Sequence, residues 1–242
     1  MKYIFSVLLI TVMFGAAVSA QPTVSPGSEI FQMVRIAERY RYAPDLSFNV
    51  NIKYTDSLAV DSVREELNAS YKLHGGLFYT YVDSTEIVQG SRYNIRVNHY
   101  DSSILISNKS AYPADVMNMP VTDTLFWKTY AESFTVTNVN DSVRTLKVKF
   151  KPGATYTSYE IRYSRKTYLF EYVKCYMSAS APGVEPDLFP SGKAMILCTF
   201  SGYSTAPVSG DWFSEDKFVT IVNGAFQPKA NYNGYFIETN IQ

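Results

Sequence analysis

The side chains able to do chemistry in this chain are few, and most are badly spaced for it. Gly202-Tyr203-Ser204-Thr205-Ala206 sets a serine among small residues after a strand-like run, the outline of a nucleophile elbow. That motif requires a helix behind the serine and a later histidine to take its proton. Pro207 and Ser209-Gly210 follow instead, and no histidine occurs beyond His99. His74 and His99 each close a strand-like run beside a turn, with no Cys or carboxylate at metal-binding intervals, so both are expected to be solvated strand-end residues. The adjacent Glu65 and Glu66 point to opposite faces of a strand and cannot act together on one bond. No glycine-rich phosphate loop is present. These residues predict no catalytic centre, no metal and no cofactor, and a hydrolase acting on an envelope polymer is the least favoured function.

Cys175 and Cys198 are the two cysteines. Each lies in a strand-like run, and a turn-rich stretch with three prolines separates them, so the runs are expected to be antiparallel neighbours with their sulfurs opposed. The leader places them in an oxidising compartment: Lys2 is followed by a largely apolar run from Ile4 to Val18, and Ala-Val-Ser-Ala at 17–20 ends in the small-x-small pattern of a cleavage site. Export to the periplasm with cleavage after Ala20 is therefore expected, and with it a Cys175–Cys198 disulfide. Residues 21–242 are read as one domain.

The 22 basic and 22 acidic residues balance, and no basic run is longer than Arg165-Lys166. Nucleic-acid binding and a polybasic membrane patch are thereby excluded, and no later segment is apolar for long enough to insert stably in a membrane. Tyrosine is abundant, at 20 residues, which suits half-buried sheet surfaces or a groove for an apolar ligand.

Hydrophobic periodicity supplies the elements. Ser28 caps a predicted helix over 29–42, with Ile30, Met33, Val34, Ala37 and Tyr40 on one stripe, and Pro44 ends it. Leu46, Phe48, Val50, Ile52 and Tyr54 then alternate with Ser47, Asn49, Asn51 and Lys53, the period of a strand with one dry face. Further alternating runs follow to residue 107, with turns at Gly75-Gly76, Asp83-Ser84, Gly90-Ser91 and Asp101-Ser102. Alternation lapses between Asn108 and Glu132, where Met117, Met119, Phe126 and Trp127 are read chiefly as packing residues. It resumes in Leu146, Val148 and Phe150 against Lys147, Lys149 and Lys151, and in Tyr159, Ile161 and Tyr163. Residues 203–216 read as loop around Trp212, and short strands at 218–222 and 232–238 end the chain. About ten or eleven strands in short-turn order predict a mainly β fold, one antiparallel sheet curled into an incomplete barrel with the helix in its concave face. A two-sheet sandwich is the alternative.

The order of these runs resembles a known family. A leader and amphipathic helix lead into Phe-Asn-Val-Asn-Ile-Lys-Tyr at 48–54, then Gly-Gly-Leu-Phe-Tyr at 75–79. Tyr-Asn-Ile-Arg-Val-Asn at 93–98 follows, with an Asp-Ser turn and Ile-Leu-Ile, and later Tyr-Glu-Ile-Arg-Tyr-Ser at 159–164. This layout is similar to that of the periplasmic lipoprotein-carrier, or LolA-like, superfamily. The resemblance implies a half-barrel whose apolar face, covered by helices, holds acyl chains. The chain departs from it in its many tyrosines and its long 177–192 loop, and no arginine is matched to a gating role.

The function expected is that of a periplasmic carrier whose partner is an apolar ligand or a lipidated protein. Phe48, Val50, Ile52, Tyr54, Met33 and Ala37 are the candidate cavity residues. The alternative is a structural subunit of an envelope assembly, with envelope proteins as partners.

Overall fold

The computed structural model describes residues 29–109, 129–179, Ala181, Val184, Phe189 and 193–241, with backbone alone at 29 and 30. The expected leader and cleavage site, and Met117, Met119, Phe126 and Trp127, lie outside the described residues. No helix among the described residues is long and apolar enough to cross a membrane.

One helix, α1 (Glu29–Arg41), precedes eleven strands: β1 (Leu46–Asp56), β2 (Ala59–His74), β3 (Leu77–Val82), β4 (Thr85–Gln89), β5 (Tyr93–Asn98), β6 (Ser103–Asn108), β7 (Ala131–Asn138), β8 (Val143–Phe150), β9 (Tyr156–Ser164), β10 (Phe170–Met177) and β11 (Ala194–Ser204). Three short strands follow: β12 (Val219–Val222), β13 (Ala225–Pro228) and β14 (Phe236–Asn240). Twelve strands share one sheet in the order β14-β6-β5-β4-β3-β2-β1-β11-β10-β9-β8-β7, and β12 and β13 form a separate hairpin. Among the described residues the ladder of pairings runs from β14 to β7. The expected meander is present as two runs, β2 to β6 and β7 to β11, joined through β1. The described strands outnumber the ten or eleven expected, and β13 shows no clean alternation in sequence; β2 begins eight residues before its alternation does.

The chain divides into two compact units: Met1–Arg35, Lys53–Glu66 and Val121–Cys198 in the first, and Ile36–Ile52, Leu67–Pro120 and Thr199–Gln242 in the second. In the first unit Leu146 and Val148 of β8 pair in register with Ile161 and Tyr159 of β9, and the Phe150 ring meets that of Tyr159 edge-on at 4.9 Å, to form the dry face. Val173 and Cys175 of β10 continue it opposite Ile161 and Tyr159. Gln32 of α1 is anchored here, its Oε1 accepting hydrogen bonds from Tyr163 Oη at 3.1 Å and Arg144 Nη1 at 3.3 Å. The opposite face is a charge ladder, in which Glu160 faces Lys147 at 3.1 Å and Lys174 at 3.5 Å and accepts from Tyr172 Oη at 2.7 Å. The alternation of Lys147 and Lys149 with apolar residues is therefore the pattern of a two-faced sheet, as expected.

The expected disulfide is not shown. β10 and β11 are neighbours, but Cys175 and Cys198 are free thiols. Adjacent strands are not sufficient for a bridge, which also needs the two side chains opposed in register and their Cβ atoms about 3.5–4.5 Å apart. Burial pushes both thiols up, Cys198 to about 12. A thiol held protonated is a poor nucleophile, so iodoacetamide at mildly alkaline pH is expected to label neither cysteine in the native protein and both after denaturation without reductant. Labelling that required a reductant would restore the bridge.

In the second unit both faces of β3 to β6 are covered, where one wet face was expected. The Gly75-Gly76 turn has φ of +55° and +87°, the backbone a two-residue hairpin of this hand demands, and sets Leu73 opposite Phe78. One face carries Tyr79, Val88, Ile95, Val97, Ile104 and Ile106, and Phe213, Phe218 and Val219 of the C-terminal segment pack against it. That segment is a covering layer of 3₁₀ turns and the β12–β13 hairpin: 203–216 was expected to be loop but holds 3₁₀ turns, and the strand expected at 218–222 is present as β12. Its terminal strand β14 pairs with β6 in parallel, Ile237 opposite Ile104. Glu215 fixes it from a 3₁₀ turn: Oε1 accepts the backbone N–H groups of Arg92 and Tyr93 at 2.6 and 2.8 Å, and Oε2 accepts Arg92 Nε at 2.9 Å. A Cβ at Gly90 would run into the Glu215 side chain, which accounts for glycine there.

Candidate functional site

The buried stripe of α1 is Met33, Ile36, Ala37 and Tyr40, the i, i+3, i+4, i+7 spacing of a helix laid on a sheet, with Ile36 in the stripe and Val34 only half-buried. In the second unit Tyr40 meets Phe48 edge-on, ring centroids 5.5 Å apart, and its hydroxyl lies 2.7 Å from that of Tyr203. Phe48 also stacks on Tyr71 at 4.9 Å and touches Tyr203 and Phe200 at 5.4 and 6.0 Å. Tyr203, read in sequence as part of an elbow, is thus a wall of an aromatic nest at the end of β11, and Ser204 stands on strand with no helix behind it.

The six candidate cavity residues divide between the two units. Ala37, Phe48, Val50 and Ile52 belong to the second unit, Met33 and Tyr54 to the first. Tyr54 packs with Met177, Ala181, Phe189 and Ala194, its ring edge-on to Phe189 at 5.0 Å. All six are buried except Ile52, which is half-buried.

Sequence reasoning missed the polar residues beside Phe48. Strand alternation puts Tyr71, Leu73, Phe78, Thr80, Ile87, Gln89, Asn94 and Arg96 on the face opposite the C-terminal layer, the face that carries Phe48. Thr80, Gln89 and Asn94 are buried there, although Asn94 reads in sequence as a solvent position. A signal was present: Leu77 to Val82 is apolar at nearly every position, which marks a strand covered on both sides. Asn94 Nδ2 donates to Gln89 Oε1 at 3.5 Å, and Gln89 Nε2 to the Gly76 carbonyl at 3.4 Å, both long.

His74 is an exposed strand-end residue, as expected, although its ring meets Asp45, whereas His99 is half-buried and engaged. His99 Nε2 lies 2.8 Å from Glu86 Oε1 and Nδ1 lies 3.0 Å from Tyr235 Oη, while Tyr79 Oη donates to Glu86 Oε2 at 3.1 Å. Burial together with the Glu86 charge pushes the Tyr232 phenol up to about 12 and Tyr79 higher. Phenols so raised are poor proton donors, and the network pins the C-terminal layer to β4 and β5. Asp45 holds His74 Nδ1 at 2.9 Å and accepts the Val208 N–H at 2.8 Å. The Val208 bond first and the imidazole second lower its carboxyl below the ordinary 3.8.

A depressed carboxyl stabilises the fold above its unfolded pKa, and that contribution is lost as pH falls through the lower folded value. Urea midpoints are thus expected to drop between about pH 5 and about pH 3, and Asp45→Asn to lower the midpoint at neutral pH while flattening that acid limb. An unchanged limb in the variant would remove Asp45 from the account.

Among the described residues no group of three or more His, Cys, Asp or Glu side chains is placed to hold a metal ion. A cavity of about 90 Å³ lies on the C-terminal layer between Arg92, Tyr93, Val219, Ile221 and Phe226. Ligand pockets run to roughly 300–1,000 Å³, so it is too small for a long chain.

A scan against protein-family models finds no match, and neither does a search of curated proteins. Solved structures do match. An uncharacterized conserved protein from Thermus thermophilus is similar at 9 % identity and TM-score 0.47, over 88 % of this chain and 100 % of its own. A LolA superfamily protein from Nitrosomonas europaea is similar at 11 % identity and TM-score 0.36, over 77 % and 98 %. The MucA/MucB complex of Pseudomonas aeruginosa contains a chain similar at 14 % identity and TM-score 0.41, over 78 % and 61 %.

Proposed function

We propose that this chain is an exported, non-enzymatic binding protein of the periplasm that shelters an acyl chain or similar apolar moiety against the face of Phe48, Val50 and Ile52, with α1 as its stopper. The observation that carries the reading is the nest of Tyr40, Phe48, Tyr71, Phe200 and Tyr203, where the helix and the dry face of β1 meet through aromatic side chains. Stacked rings offer a large apolar surface at low entropic cost. A chain entering there displaces ring contacts that a moving helix can release and remake.

A second reading, that of a structural subunit of an envelope assembly, is favoured by a different observation. The described face is already filled by its own side chains, while the β1–β2 hairpin exposes Leu58 to 75 % and also Val60 and Val63. Apolar residues grouped at an exposed tip suit a protein contact. Native mass spectrometry of protein purified without organic solvent, followed by solvent extraction, separates the two. Carriage predicts a one-to-one adduct of acyl mass that extraction releases; bare polypeptide mass with a stoichiometric protein partner favours the subunit.

A further inference from the structure

We infer that Lys72, Lys217 and Trp212 form a binding site for a phosphate monoester, on the side of the sheet turned away from Phe48. Tyr71 stacks on Phe48, so strand alternation sets Lys72 and its cross-strand partner Tyr79 on the other face. There the 3₁₀ turn Gly210–Phe213 buries Phe213 in the C-terminal layer and lays Trp212 beside Tyr79, ring centroids 4.8 Å apart. Trp212 itself stays 38 % exposed. Lys72 Nζ lies 4.5 Å from the indole centroid and Lys217 Nζ 5.0 Å from it, so two cations share one ring.

One ammonium group over an indole is an ordinary cation–π contact. A second on the same ring is repelled by the first, and among the described residues neither lysine is held by a carboxylate. The acidic side chains of the layer are engaged elsewhere. Glu215 accepts the Arg92 and Tyr93 amides, Asp216 lies 3.7 Å from Arg92 Nη2, and Asp211 Oδ2 accepts from Ser209 Oγ at 3.1 Å. What completes the cluster is an anion that carries two charges. A phosphate monoester carries about −1.5 to −2 at neutral pH, and lysine meets phosphate as a point charge. A carboxylate carries a single charge and suits the planar fork of arginine instead. The flexible four-carbon stems let both ammonium groups close on one phosphoryl group, and the exposed indole offers an apolar floor to whatever bears it.

The chain has two tryptophans, so nitrogen–proton correlation spectra of the full-length protein carry two indole N–H signals, and Trp127→Phe assigns that of Trp212. Glycerol phosphate is titrated as a free monoester against sodium chloride at matched ionic strength. Co-sedimentation is then measured with phosphatidylcholine vesicles carrying either phosphatidate, a monoester, or phosphatidylglycerol, a diester. Glycerol phosphate should shift the Trp212 signal saturably, and chloride should not. Lys72→Gln and Lys217→Gln should each weaken binding about two- to fivefold, and the double variant should abolish the shift. Given that shift, sedimentation with phosphatidate above the phosphatidylglycerol level identifies a lipid head group as the source, and its absence identifies a soluble ester. A shift that chloride reproduces, a shift that the double variant retains, or no shift with glycerol phosphate overturns the site. The comparison of ester with chloride needs no lysine variant, so it stands even where one fails to fold. None of these outcomes bears on the carrier reading, whose apolar face is that of Phe48.

Discussion

Glu215→Ala is expected to lose several kcal/mol of stability, about 1–3 kcal/mol for each of the two buried backbone amides it leaves without an acceptor. The carboxylate is 5 % exposed and accepts three hydrogen bonds. Two of the donors are backbone N–H groups of the turn after β4, and neither can turn toward a new acceptor without moving the strand. Arg92 is half exposed and is re-solvated easily, so most of the loss comes from the orphaned amides. Glu215→Gln retains an acceptor and should lose less. Urea unfolding at unchanged m-value measures both, and hydrogen exchange at Tyr93 should accelerate in the alanine variant. A loss below about 1 kcal/mol in Glu215→Ala would mean that the C-terminal layer is held by its apolar residues alone.

Phe48→Ala should be comparably severe, about 3–5 kcal/mol, because a buried phenylalanine takes with it both its transfer energy and the filling of its site. Phe48 is 2 % exposed and touches four rings. Phe48→Leu restores most of the volume but none of the ring geometry, and with aromatic pairs contributing about 0.5–1.5 kcal/mol each, it should fall between wild type and alanine. If leucine were as stable as phenylalanine, the nest would be ordinary apolar filling, and its claim to a specialised surface would weaken.

The helix and the first strand were legible because each buries one face with a regular period. Met33, Ala37 and Tyr40 keep helical spacing, Phe48 and Val50 keep strand spacing, and the lysines opposite Leu146 and Val148 stand in water. Gly75-Gly76 announced its turn because two consecutive positive φ values favour glycine. The C-terminal layer was legible only in part: two of its short strands were read, but β13, with four residues, is too short for a period to show, and the layer's burial rests on isolated rings such as Phe213 and Phe218.

The same hidden layer explains why Asn94 and Arg96 looked like solvent positions. When Ile95 and Val97 are buried by a segment from the far end of the chain, the intervening residues need not face water. Glu215 and Asp216, an acidic pair passed over in sequence, illustrate the limit further, since nothing local marks Glu215 as the acceptor for a turn more than a hundred residues earlier. The cysteines failed differently. Their strands were placed correctly as neighbours, but neighbouring strands alone do not bring two sulfurs to bonding distance.

Photo-crosslinking tests the central claim most directly: a fatty acid bearing a diazirine near the middle of its chain is bound to the full-length protein, irradiated, and the adducts mapped by peptide mass spectrometry. The account predicts labelling concentrated on peptides from β1, β2 and β3 around Phe48, Tyr71 and Phe78. Labelling confined to the exposed hairpin at Leu58 and Val60, or none above an irradiated control, would contradict it.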